Sequence, residues 1–269
     1  MPSADPAGTL RYVLARANPF SDLVWVRHRA SGLHYRVNVR DVVGRHILRY
    51  QGYEHGLTAW LLGRLAAAGP SALFVDVGAN LGWYSLQAAH LDNVGKVLAI
   101  EPEPANHALL RGNVERNGLA GKVDTMAVAA GAAPGSAVLH AYKSSNLGKH
   151  SIAVDHGGDS HVVRVESLDG LLEHAGLGNT PIAAIKIDVE GYEPSVLAGA
   201  SGALQRCQAL LVELSPALSR RGGLDLPGMI QVVRLAGLRP RIWDREGPVP
   251  DFAALAAVTR QVTVGFGRD

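Results

Sequence analysis

A chain of 269 residues, 47% hydrophobic and 19% charged, can bury one large α/β core and carry a small extension beside it. Its 26 basic and 24 acidic residues leave a formal net charge of +2, which argues against a nucleic-acid surface built on bulk charge. The single cysteine, Cys207, excludes an internal disulfide and a cysteine-based metal cluster, and no apolar run approaches the roughly 18 residues of a membrane span.

Residues 1 to about 20 read as a loosely helical arm, and Met1 to Pro6 lack the basic start and apolar core of a secretory signal, so a cytoplasmic location is expected. Residues 23–27 and 34–39 flank Ser31-Gly32 as a β-hairpin. A helix over 54–68 places Leu57, Leu61, Leu62 and Leu65 on one face and stops at Gly69-Pro70. From residue 73 strands and helices alternate. Strands are expected at 73–77, 96–100, 123–129, 183–188, 209–214, 238–243 and 262–266, and helices at 83–90, 104–117, 194–204 and 227–236. This pattern implies a mostly parallel sheet covered on both faces, with an extension over 1–52 and the main domain over 53–269. An insertion at 136–180 holds two more extended segments around a Gly/His/Ser-rich loop, where substrate contacts are expected.

The run Phe74-Val75-Asp76-Val77-Gly78-Ala79-Asn80-Leu81-Gly82 is a short apolar strand ending in a glycine-rich turn, the form of a nucleotide-binding crossover. About 20 residues on, a second apolar run ends in Glu101-Pro102. A carboxylate at that strand tip suits a ribose diol, because it accepts both hydroxyl protons. In Ile185-Lys186-Ile187-Asp188-Val189-Glu190-Gly191-Tyr192-Glu193, strand alternation puts Lys186 and Asp188 on one face. A lysine inside a covered strand needs a partner, for which Asp76, Asp188 and Glu213 are candidates. Asp188 and Glu190 then fall at the strand's carboxyl end, where open α/β sheets bind ligands.

These segments in this order, with Glu213-Leu214 after them and Tyr53-Glu54 before, resemble the FkbM family of S-adenosylmethionine-dependent methyltransferases over roughly residues 50 to 245. The resemblance implies a class I methyltransferase (Rossmann-like) fold of seven strands, the last antiparallel. It implies that Gly78, Ala79, Asn80 and Gly82 line the methionine and ribose of the cofactor, that Asp76 organises the turn, and that Glu101, beside Pro102, holds the ribose hydroxyls. Adenine would sit near Ala127 to Ala130, and Tyr84 would cover the cofactor. The chain departs from the family in having Gly131-Ala132-Ala133 where Gly-Asp is common, which implies apolar packing there.

In such a reaction the cofactor supplies the methyl group and the protein supplies position, desolvation and proton removal. A sugar hydroxyl needs a base, for which Asp188, Glu190, Glu54 and the histidines His55, His150, His156 and His161 are candidates, with His150 the preferred histidine and Lys186 beside them. Ser145 and Asn146 would orient acceptor hydroxyls and Lys149 an anionic group. Asp188, Glu190 and Glu213 are able to ligate a divalent ion, but no metal is expected. The acceptor is expected to be a small molecule or glycan and the assembly compatible with a homodimer. A nicotinamide-dependent oxidoreductase would need Gly-x-Gly-x-x-Gly after the first strand, which Gly78 and Gly82 do not satisfy. A non-catalytic cofactor-binding assembly protein is the other alternative.

Overall fold

Apolar strands flanked by glycine turns form a seven-stranded central sheet in this computed structural model, which describes residues 6–18, 20–140, 150–155, 159–221, 223 and 226–269. In chain order the elements begin with α1 (Pro6–Arg16), a hairpin of β1 (Leu23–Arg27) and β2 (His34–Asn38), α2 (Val42–Tyr50) and α3 (His55–Ala66). The first half of the sheet follows as β3 (Ala72–Val77), α4 (Trp83–Ala89), β4 (Val94–Ile100), α5 (Pro104–Arg116) and β5 (Val123–Met126). The insertion supplies β6 (Ala129–Gly131), β7 (Gly135–His140) and β8 (Ser160–Ser167), then α6 (Leu168–His174). The second half is β9 (Ile182–Ile187), α7 (Glu193–Ala198), α8 (Ser201–Arg206), β10 (Ala209–Leu214), α9 (Pro216–Arg221), α10 (Leu226–Leu235), β11 (Arg239–Trp243), α11 (Phe252–Ala256) and β12 (Val262–Gly267).

The seven-stranded sheet runs β11-β12-β10-β9-β3-β4-β5, with β12 antiparallel to both neighbours and the other pairings parallel. This is the expected α/β class I arrangement. The chain fills one half outward from β3, then returns to lay β9 against β3's other side. The strand order therefore reverses between β3 and β9, and a crevice opens at their carboxyl ends.

Alternation along the strands divides the core between the two faces. Leu73, Val75 and Val77 of β3 pack on one side with Ile185 and Leu210. Phe74 packs on the other with Tyr35 and Val37 of the hairpin, Ile47 of α2 and Leu61 of α3. The hairpin's free edge is closed by the residue that caps the end of α5: the Asn117 amide accepts from His34 N (2.8 Å) and donates to His34 O (2.7 Å), as a neighbouring strand would.

Two sequence expectations change, and one helix is added. The strand expected over 123–129 is two pieces, because β4 ends at Ile100 opposite Met126, and Ala129–Gly131 pairs instead with β8 in a separate three-stranded sheet. The helix expected over 194–204 breaks at Gly199-Ala200, where Gly199 passes so close to Gly131 that an added Cβ would lie 2.0 Å from the Gly131 carbonyl oxygen. Residues 42–50, not assigned from sequence, form a helix capped by Asp41, whose Oδ2 accepts from Val43 N (3.0 Å) and Gly44 N (3.3 Å).

Candidate active site

The glycine turn after β3 is shaped by backbone demands on both sides. Gly78 has φ +76° and Gly82 φ +91°, both left-handed conformations that suit glycine. The N–H groups of Gly78 and Ala79 both donate to the Ile100 carbonyl (2.9 and 3.0 Å), binding the turn to the tip of β4. A Cβ on Gly78 would lie 1.8 Å from the Asp188 carbonyl oxygen, and one on Gly82 would meet Leu110 and Leu86 at 2.7 and 2.8 Å. These glycines therefore serve first the close approach of β9 and of the flanking helices.

Glu101 faces this turn from the end of β4. Its Oε2 accepts from Asn80 N (2.8 Å) and its Oε1 from Glu103 N (3.0 Å). Each oxygen keeps a second acceptor site, so the carboxylate can still take hydroxyl protons. Burial pushes its pKa up to about 7, against the two N–H donors that favour the charged form.

Across the turn, Lys186 reaches inward from β9. Its Nζ donates to Gly78 O (2.9 Å) and lies 3.3 Å from Asp188 Oδ2, 3.6 Å from Asp76 Oδ1 and 5.5 Å from the centre of the Tyr84 ring. Burial opposes its charge, but Asp188, Asp76 and Glu54 outweigh burial and hold its pKa above the ordinary lysine value. Asp76 is wholly buried and accepts at Oδ2 from the Ser85 hydroxyl (2.6 Å). Burial raises its pKa, with Lys186 acting the other way. Glu213 belongs to a different group: oxygens of Asp188, Glu190 and Glu213 lie within 4.8 Å of one another. Burial, then Asp188 and Glu190, drive the Glu213 pKa well above that of an ordinary carboxyl. Glu190 itself takes φ +49°, and its carbonyl accepts from the Ser151 hydroxyl (2.7 Å).

One cavity joins these parts. Gly78, Ala79, Asn80, Glu101 and Pro102 line one end, and Lys186, Asp188, Glu190 and Glu213 another, with Tyr84 and His150 also in the wall. Asp76 and Gly82 stand behind the wall and act through what they hold in place. Glu54 also stands behind it, accepting from the Tyr84 hydroxyl (2.7 Å), and burial pushes its pKa up to about 7. The expectation for Ala127 is corrected: it is exposed in an outer cleft beside Pro104 and Val163, and Ala129 and Ala130 line the cavity instead. The cause is the chain's departure from β4 after Met126. His161 lines that same outer cleft and His55 is exposed in a groove on α3, so neither reaches the cavity. Ser145, Asn146, Lys149 and His156 lie outside the described residues.

The cavity also uses residues that sequence reading did not select. Val42 and Val43 come from the start of α2, Tyr53 from the loop before α3, Asn106 from α5 and Gln261 from the residue preceding β12. The Asp41 cap and the i, i+4 pairs of α2 were the available signal for Val42 and Val43. Gln261 had none, since only the antiparallel return of β12, with Val262 opposite Leu214, brings it to the carboxyl end of β10.

Three similarities frame this geometry. The 31-O-demethyl-FK506 methyltransferase FkbM of Streptomyces tacrolimicus is 47% identical over 60 residues, 22% of this chain and 23% of that protein. A crystallised methyltransferase FkbM of Methylobacillus flagellatus is 19% identical with a TM-score of 0.45, over 72% of this chain and 43% of its own. The tRNA m1G37 methyltransferase of M. jannaschii is 12% identical with a TM-score of 0.46, over 94% of this chain and 59% of its own. The chain thus spans less than two thirds of the length of each. The methyltransferase FkbM domain matches residues 76–240, more than half of the sequence, and the chain belongs to that family.

Proposed function

We propose that this chain transfers a methyl group from S-adenosylmethionine to a hydroxyl of a sugar, glycan or secondary metabolite. The observation that carries this reading is Glu101: a carboxylate at the tip of β4, fixed by the N–H of Asn80 and keeping acceptor capacity toward the cavity. A ribose diol would complete that capacity, with Ala129 and Ala130 as apolar neighbours for adenine. The bound cofactor supplies an activated methyl group on a sulfonium.

The remaining work belongs to the chain. Asp188 is the cavity carboxylate with the most direct claim to the acceptor proton, because its side chain is 27% exposed while Lys186 holds it from behind. Glu190 and His150 bound the same space and orient the acceptor. Glu54 fixes Tyr84, and through it the wall. Residues 1–52 act as an extension that lends Val42 and Val43 to the domain at 53–269. The name of the S. tacrolimicus relative, an O-demethyl compound's methyltransferase, supports oxygen as the atom methylated.

No metal is needed in this reading, because Lys186 supplies a counter-charge to Asp188. The test is transfer of labelled methyl to a panel of hydroxylated acceptors. Asp188→Asn should lower the rate by roughly 10²–10⁴-fold at nearly unchanged cofactor affinity, and a chelator should not inhibit. An unchanged rate would move the base elsewhere, and chelator inhibition reversed by magnesium would assign the carboxylates to a metal.

A further inference from the structure

The basic charge of this protein is concentrated in its extension. Residues 1–52 contain eight arginines and three acidic residues, leaving 18 basic and 21 acidic residues elsewhere, so a chain of net charge +2 divides into +5 and −3. Of these acids, Asp22 pairs with Arg40 and Asp41 caps α2.

The same segment exposes large apolar side chains. Leu10, Val13 and Leu14 of α1 are 59%, 54% and 64% exposed and follow the i, i+3, i+4 spacing of a single helical stripe. The helix's other side is committed to the fold: Tyr12 and Ala15 pack on the core, and a Cβ on Gly8 would lie 2.3 Å from the Arg49 carbonyl oxygen. Beyond α1, Phe20 is 93% exposed. On the outer face of the hairpin Trp25 is 48% exposed and stands opposite Arg36, with Arg27 two residues along on the same face. The Arg116 guanidinium of α5 lies 5.8 Å from the Trp25 ring centre. Leucine, phenylalanine and tryptophan interleaved with arginine suit an interface that is apolar beneath and anionic above. No helix among the described residues is long and apolar enough to cross a membrane, so insertion would be confined to the surface layer.

We propose that the extension docks this chain on the surface of an anionic lipid bilayer, with the Leu10-Val13-Leu14 stripe and Phe20 entering the headgroup boundary and Arg16, Arg27 and Arg36 meeting lipid phosphates. Because α2 follows directly and lends Val42 and Val43 to the cavity wall, the docked extension would adjoin the cavity. The proposal is independent of the catalytic reading, since binding is measured without turnover.

The test is co-sedimentation of the full chain with vesicles of phosphatidylcholine alone or with about 30% phosphatidylglycerol, at low and high salt. The expected result is retention on the anionic vesicles only, lost as salt rises. Leu10→Gln/Leu14→Gln and Arg27→Gln/Arg36→Gln should each weaken retention about tenfold with an unchanged melting temperature. Absence of retention at low salt, or retention indifferent to both double variants, overturns the proposal. So does loss of a dimer in the leucine variant without vesicle binding, which would assign the stripe to a second copy. Tighter binding of RNA than of vesicles would assign the arginines to nucleic acid and overturn it equally.

Discussion

Glu101 shows how one carboxylate can be held ready for a ligand. Two backbone N–H groups orient it, yet burial keeps its pKa near 7, so near neutrality it is split between charged and neutral forms. Hydroxyl donors require the charged form. Cofactor affinity should therefore rise as pH increases through about 7, with release of a proton on binding. Glu101→Gln should cost roughly 1–3 kcal/mol of binding and flatten that dependence. Calorimetry in buffers of different ionisation enthalpy reads both, and a pH slope that survived in the variant would refute the assignment. The acid at this position was legible from its distance to the glycine turn. Its two N–H donors were not, because they depend on Asn80 adopting φ +50° and on the chain folding back at Glu103.

Among elements, the decisive contact is that between the ends of β3 and β9. Gly78 was expected, from the resemblance, to line the methionine and ribose of the cofactor, a role in which a substitution would weaken binding first. The structure puts the Asp188 carbonyl where a Cβ would stand, and Lys186 bonds the Gly78 carbonyl from the same strand. Gly78→Ala should consequently destabilise the fold itself, by roughly 2–4 kcal/mol from the positive φ and the displaced strand end together. Urea unfolding measures this, and a variant of normal stability but poor cofactor affinity would restore the simpler reading. The division of the third expected strand and of the helix after β9 has the same origin. Each break is set by a neighbour, the strand dividing where β4 ends at Ile100 opposite Met126 and the helix breaking where Gly131 lies beneath Gly199.

Over the whole molecule, buried acids make stability depend on pH in an unusual direction. Burial raises Glu54 and Glu101 to about 7 and Glu193 to about 8 from an ordinary 4.5. A carboxyl whose folded pKa is raised binds its proton more tightly in the folded state, so its contribution is full below about 4.5 and is lost as pH rises toward 8. The ligand-free chain should be more stable near pH 5.5 than near pH 8.5 in urea titrations. Glu193→Gln should recover on the order of 1–3 kcal/mol at the higher pH and little at the lower, since Gln retains the acceptor for Gly191 N. Equal stability of the two proteins at the higher pH would show that Glu193 is not the strained group.

What the residues by themselves decided is whatever depends on local pattern. Apolar runs marked the seven sheet strands, glycines after β3 marked the crossover, and acids at strand tips marked the ligand end, because strand period and turn chemistry act over a few positions. Tertiary structure alone decided which of those groups share a cavity and which stand behind its wall. Asp76, Asp188 and Glu213 illustrate this: all were candidate partners of Lys186 in sequence, but the register of β3 against β9 gives Lys186 to Asp76 and Asp188, while Glu213 on β10 joins Asp188 and Glu190. Val42, Val43 and Gln261 reach the site through chain returns of many residues, and no local rule encodes a contact made that way.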